Sequence, residues 1–259
     1  MQLDPSRIRA RSYWLEDLEE PPALPEQLPE AVEILIVGAG YTGLHAAIQT
    51  ARGGRSTLVL EADAPGFGCS TRNGGQVSTS IKPSQEALAA RHGAERARAI
   101  RQEGKTALQW IGEFVEAEGI DCDYRRSGRF HAAHTPWHYE ELARDAEKLR
   151  RNEGIESFTV PRVDQRSELG TDCYFGGVVF PEHCALQPAK YHRGLLNLAL
   201  ASGAEIRGHC PALSVTREGS EFIVATPRGP VRAREVLVAT NGYTGDATPW
   251  FRRRVIPIG

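Results

Sequence analysis

The residues Gly38-Ala39-Gly40-Tyr41-Thr42-Gly43 follow directly on an apolar run and fit the spacing G-x-G-x-x-G. The chemistry open to such a segment is the holding of a diphosphate by backbone alone. Gly38 allows a sharp exit from a strand, Gly40 lets the main chain approach the phosphates, and Gly43 lets the following helix press on the sheet. The helix N-terminus adds unpaired N–H donors and a partial positive charge at the same point. Glu61 stands 23 positions beyond Gly38, where a carboxylate accepts hydrogen bonds from ribose hydroxyls and repels a 2′-phosphate. A ligand-free Gly-rich turn would have to produce the strand, the helix, the second strand and the acid at these spacings by accident.

A second cluster runs from Gly66 to Gln76 and crowds Ser70, Thr71, Arg72, Asn73 and Gln76 among the glycines Gly66, Gly68, Gly74 and Gly75. Each side chain is a polar handle for a phosphate or a ring, although a solvated turn has a similar composition. Cys69, within this loop, is read as a small filler in preference to a redox thiol. His131, His134 and His138 suggest a metal by spacing, but a strand would put the first two on opposite faces, so no metal is expected. No residue stands out as a catalytic acid or base.

The elements that position the first motif are explicit. Ile34 to Val37 reads as a strand buried on both faces, Leu44 to Ala51 as a small-residue helix, and Thr57 to Leu60 as the next strand of one βαβ unit. Before it, residues 1–30 contain Pro21, Pro22, Pro25 and Pro29 and read as an extended arm. After it, helix is expected from Pro83 to about Glu118 with a break at His92-Gly93, from Tyr139 to Arg151, and from Ala189 to Ala201. Short strands are expected near Asp123, Phe130 and Val178, a hairpin over Phe222 to Ala225 and Val231 to Arg234, and a return to the first sheet over Val236 to Thr240. A dinucleotide domain for NAD would continue with further βα units; this early interruption favours FAD and an inserted domain.

Among the 259 residues, 41% are hydrophobic and 25% charged, with a net charge of -2, which suits a soluble globular chain and argues against nucleic acid as a partner. No apolar run is long enough to span a bilayer, and the expected location is the cytoplasm. Cys69, Cys122, Cys173, Cys184 and Cys210 form no C-x-x-C pair and read as free thiols.

Ser12-Tyr13-Trp14, Val37 to Leu44, Cys69 to Gln76 and Ala239-Thr240-Asn241-Gly242-Tyr243-Thr244 together resemble the D-amino-acid-oxidase-like superfamily of FAD-dependent oxidoreductases, in its gamma-glutamylputrescine oxidoreductase-like branch. The resemblance implies an α/β fold: a Rossmann-type FAD-binding domain with an inserted α+β substrate domain, its C-terminal part missing. Residues 1–30 would be the arm, 31–120 the first part of the FAD-binding domain, 121–187 a partial substrate domain, and 188–259 the return of the first domain and the start of a further strand. The resemblance places FAD along Gly38, Gly40, Tyr41, Thr42 and Gly43, with Glu61 and Ala62 at the ribose and Ala212 at the adenine. Ser70, Thr71, Arg72, Asn73, Gly74, Gly75 and Gln76 would run toward the flavin ring, with Thr240 and Gly242 beside the cofactor. Gln187 stands where the family often has His before the proline. The implied activity is oxidation of an amine or amino acid to an imine, with reoxidation by oxygen. The alternatives are a truncated, non-catalytic nucleotide-binding remnant or assembly partner of another chain and, third, an NAD-dependent dehydrogenase.

Overall fold

The computed structural model describes residues 12–19, 21–79 and 81–256. In chain order the regular elements are β1 (Ala31–Val37), α1 (Tyr41–Arg52), β2 (Thr57–Leu60), β3 (Gln76–Val77), α2 (Gln85–His92), α3 (Ala94–Ala117), β4 (Arg129–Ala132), α4 (Pro136–Glu153) and β5 (Phe158–Val160). They continue with β6 (Gly177–Phe180), β7 (Cys184–Ala185), α5 (Pro188–Ala201), β8 (Glu205–Arg207), β9 (Ser214–Glu218), β10 (Glu221–Ala225), β11 (Val231–Val238) and α6 (Pro249–Arg252). The chain divides into two compact units, one of the residues up to Gly74, Ile120–Cys122 and those from Pro188 on, the other of Gly75–Gly119 and Asp123–Gln187.

The first unit is built on a six-stranded sheet of order β8-β2-β1-β11-β10-β9. The four strands β8, β2, β1 and β11 are mutually parallel, and β10 and β9 continue the sheet antiparallel. Parallel strands covered on both faces call for unbroken apolar sequence, and Leu35, Ile36, Leu58 and Leu60 are enclosed almost completely. Each such side chain contributes roughly 1.5–3 kcal/mol relative to exposure. Helix α1 lays Gly43, Leu44, Ala47 and Ile48 inward, and α5 packs on it through a face that includes Tyr191, His192, Leu195 and Leu196. The expected hairpin arm and the expected return strand are a single eight-residue strand, β11, which pairs with β10 on one side and β1 on the other.

The described part of the arm is irregular apart from a short 3-10 turn, Tyr13–Leu15. It is tied to the unit by Ser12 Oγ donating to the Thr71 carbonyl at 2.6 Å and by Arg207 Nε donating to that of Gln27 at 2.6 Å. Residues 1–11 of the expected arm, and Pro257 to Gly259 of the strand expected at the end, lie outside the described residues. Residues 254–256 are turn and irregular chain, with no neighbouring strand to pair with among the described residues.

The second unit holds an antiparallel sheet of order β4-β6-β5, a two-stranded pair β3-β7, and the helices α2, α3 and α4. Ser84 caps α2 by accepting from the Ala87 amide, and Gly93, at φ +84°, breaks the helical run at the expected His92-Gly93. Helix α4 starts on Thr135, whose side chain accepts from the His138 amide, with Pro136 at its first turn, and ends on the left-handed Gly154. Residues 75–119, placed by sequence with the nucleotide-binding part, group with this second unit. An apolar stripe on α3 announces that the helix packs, not upon which sheet. Near Asp123 there is no strand, only an isolated bridge between Arg125 and Ala185.

Candidate dinucleotide site

In the first unit a groove of about 270 Å³ opens at the carboxyl ends of β1, β2 and β11. The chain leaves β1 for β2 on one side and β11 lies on the other, so the groove sits where the strand order reverses, the usual ligand position in an open parallel sheet.

At Gly38 and Gly43 the motif needs glycine because any Cβ would strike backbone. A Cβ on Gly38, whose φ is +108°, would lie 2.7 Å from the Ala239 carbonyl oxygen, and one on Gly43 would lie 1.9 Å from that of Gly38. A Cβ on Gly40 would meet Ser70 Oγ at 3.0 Å. Gly40 caps α1 without any side-chain bond of its own. Of the first-turn amides that a helix leaves without internal partners, that of Tyr41 donates to Ser70 Oγ at 3.1 Å. Glu61 arrives beside the motif because Val37 pairs with Leu60 in register. Its Oε2 accepts from the Ala39 amide at 2.8 Å and its Oε1 from the Asp63 amide at 3.2 Å.

Gly38, Gly40, Glu61, Ala62, Ser70, Ala212 and Thr240 all line this groove. Other residues named from sequence do not. The Tyr41 ring turns inward against Tyr191, with centroids 5.1 Å apart, and its hydroxyl donates to the Pro188 carbonyl at 2.9 Å. Burial pushes that phenol up to about 12. Thr42 and Gly43 belong to the first turn of α1, and Gly242 lies in the turn beside Thr240 and Asn241 without lining the groove.

The loop residues Thr71, Arg72 and Asn73 hold their own loop together. Thr71 Oγ1 donates to the Gly66 carbonyl at 2.5 Å, and Arg72 Nε to that of Phe67 at 2.7 Å, its guanidinium lying 4.6 Å from the Phe67 ring centre. Asn73 Nδ2 donates to the carbonyls of Cys69 and Ser70, both at 3.1 Å. A Cβ on Gly74 would meet nothing within 4 Å. Gly75 and Gln76 belong to the second unit, where the Gly75 carbonyl accepts from the Leu186 amide at 2.9 Å and Gln76 pairs with Ala185. Gln187, also in that unit, is buried.

Sequence reasoning missed part of the far wall, Pro211, Tyr243 and Thr248. Tyr243 OH lies 3.3 Å from Cys69 Sγ, a contact between residues 174 apart that no local pattern announces. It also missed His192, 2% exposed, whose Nε2 donates to the Ala39 carbonyl at 2.7 Å. Burial holds this imidazole below its ordinary pKa, and a carbonyl can only accept, so the ring is a neutral Nε2–H donor.

Among the described residues no group of three or more His, Cys, Asp or Glu is placed to hold a metal ion, and no helix is long and apolar enough to cross a membrane.

Comparison with known proteins gives a consistent picture. The family model described as DAO, FAD dependent oxidoreductase, matches residues 33–259. Gamma-glutamylputrescine oxidoreductase of Escherichia coli (strain K12) is 32% identical over 237 residues, which cover 88% of this chain and 53% of the relative. A probable oxidoreductase, OrdL, of Haemophilus influenzae is 26% identical over 258 residues, covering 96% and 59%. The chain thus spans about half the length of the curated relatives it matches. Among solved structures, glycine oxidase from Geobacillus kaustophilus superposes with a TM-score of 0.69 at 17% identity, over 85% of this chain and 58% of that one, a likeness of fold.

Proposed function

The chain belongs to the DAO family of FAD dependent oxidoreductases, and on that premise we propose that its groove holds FAD and serves the oxidation of an amine or amino acid to an imine. The observation that carries this reading is the pairing of a cradle too tight for any Cβ at Gly38 and Gly43 with a carboxylate already oriented by the Ala39 amide.

In this reading Gly40 and the first turn of α1 face the diphosphate, where the helix end favours negative charge. Glu61 uses its remaining lone pairs for the ribose hydroxyls, since two carboxylate oxygens offer about four acceptor sites and the two amides occupy one on each. Ala212 stands at the adenine, with Thr240 beside the cofactor. Ser70 couples the two loops, accepting from Tyr41 while lining the groove. FAD, when bound, would supply the redox chemistry for a two-electron oxidation of the substrate to an imine, with dioxygen as the proposed final electron acceptor. The chain's own part is to bind, orient and exclude solvent. The cytoplasm is the proposed location.

The test is spectroscopic. Purified protein is titrated with FAD and its visible spectrum recorded, then exposed without oxygen to a panel of amines and amino acids. Retained oxidised flavin that bleaches with one of them supports the proposal; protein that takes up no FAD overturns it. Retained flavin that no amine bleaches would assign this chain to nucleotide binding alone.

A further inference from the structure

We infer that His192, on α5, is a positioning residue that aims the Gly40 amide at the diphosphate, an inference that rests on the nucleotide reading above. The Ala39 carbonyl and the Gly40 N–H belong to the same peptide unit, which is planar and trans, so the two bonds point in opposite directions. His192 Nε2 takes the Ala39 carbonyl at 2.7 Å from inside the unit. The Gly40 N–H therefore points away from His192, and Gly40 lines the groove.

The preceding peptide is fixed as well, because Glu61 Oε2 accepts from the Ala39 amide at 2.8 Å. Ala39 itself is fully enclosed. With both of its peptide units held by side chains from β2's end and from α5, the segment Gly38-Ala39-Gly40 has no rotational freedom left to spend when an anion arrives. The imidazole is fixed in its turn. A Cβ on Gly66 would come within 3.0 Å of His192 Nδ1, so the ring is wedged between the motif and the second loop. No rearrangement of the ring is needed to bind, and losing the donor frees the peptide to rotate and turn its N–H from the groove.

The experiment compares wild type, His192→Leu and His192→Gln, the last carrying an amide nitrogen at about the reach of Nε2. Affinity for FAD and for ADP, which shares the diphosphate, is measured by calorimetry. In 15N-labelled protein the Gly40 and Ala212 amide resonances are followed as ADP is added. The leucine variant is expected to bind both ligands roughly three- to tenfold more weakly, the range of one net hydrogen bond. It should lose the Gly40 shift while keeping that of Ala212, and the glutamine variant should regain both affinity and shift. An unchanged ADP affinity with an unchanged Gly40 shift in the leucine variant overturns the inference alone. Equal loss of the Gly40 and Ala212 shifts also overturns it, by making the residue a general support of the unit. Wild type that binds neither ligand overturns the nucleotide reading and this inference with it. If His192→Leu fails to fold, His192→Met against His192→Gln gives the same contrast.

Discussion

Gly43→Ala sets helix propensity against a collision, and the magnitudes decide the sign. Alanine in place of glycine within a helix is worth about 1 kcal/mol of stability on propensity alone. At Gly43 the new Cβ would stand 1.9 Å from the Gly38 carbonyl oxygen and 3.3 Å from Ile36 Cγ2. Carbon and oxygen approach to about 3.3 Å at their closest, so the start of α1 and the end of β1 would have to separate by something over ~1 Å. The severe collision is with backbone, the Gly38 carbonyl, and no side-chain rotation relieves it. Overpacking costs about 1–3 kcal/mol, and backbone against backbone puts this case at the upper end, leaving a net loss of about 2 kcal/mol after the propensity gain. For a unit of this size the melting temperature should fall by roughly 4–8 °C, read by circular dichroism and by the urea midpoint, and FAD affinity should fall with it. Gly245→Ala, where a Cβ would meet nothing within 4 Å, serves as the control and should stay within about 0.5 kcal/mol of wild type. A Gly43→Ala variant as stable as wild type, or more stable, would refute the close approach of helix and strand on which the site's geometry rests.

Three further outcomes are expected. Glu61→Gln keeps an acceptor for the Ala39 amide but removes the charge from the ribose contact, so FAD affinity should drop by roughly tenfold or more, the scale of a charged hydrogen bond; unchanged affinity would remove Glu61 from the site. His183 in the second unit is held down to about 4 by burial and then by the nearby Arg129 guanidinium. The unfolded chain therefore takes up this proton near the ordinary histidine value while the folded chain does not. Stability is full above that value and is lost as pH falls toward about 4, by on the order of 2–3 kcal/mol. Urea midpoints from pH 7.5 down to 4.5 should decline less steeply in His183→Gln, and parallel slopes would refute the assignment. Cys69 and Cys173 are exposed while Cys122, Cys184 and Cys210 are buried, so a thiol reagent should label two cysteines in the native protein, and FAD should protect Cys69 and not Cys173.

What sequence made legible is what short-range order determines. The apolar run of β1, the glycines at its end and the acid closing β2 lie within one stretch of chain, and each follows from a local physical demand: burial on both faces, absence of a Cβ, an acceptor at a strand end. The Gly38-to-Gly43 motif and Glu61 come together through a single register, Val37 with Leu60. The opposite wall was harder to read. Ala212 and Thr240 were reached only by resemblance, Tyr243 stood in a resembling segment without a role, and Pro211 and Thr248 were not reached at all, because their approach depends on β8 and β11 joining a sheet begun some two hundred residues earlier. The strands β3, β5 and β7, of two or three residues each, are too short for a period to show and exist through pairing alone. Arg72 and Asn73 illustrate a different limit: their composition suits a ligand, yet Arg72 Nε and Asn73 Nδ2 donate to carbonyls of their own loop, and composition cannot distinguish the two uses.

The same accounting explains why an acid is placed at the end of β2 and not elsewhere around the groove. A carboxylate free to rotate would have to be ordered by each arriving nucleotide, at a cost in side-chain entropy. Here both of its oxygens are engaged by amides of the chain itself, at 2.8 Å and 3.2 Å, and the Ala39 amide it engages is the one that precedes the peptide held by His192. Glu61 and His192 thus act on consecutive peptide units, the one with an acceptor and the other with a donor. Neither could replace the other, since an N–H requires an acceptor and a carbonyl a donor. The orientation of the glycine loop is therefore a property of the folded unit, set by two side chains 131 positions apart, and only one of those two could be recognised from the motif.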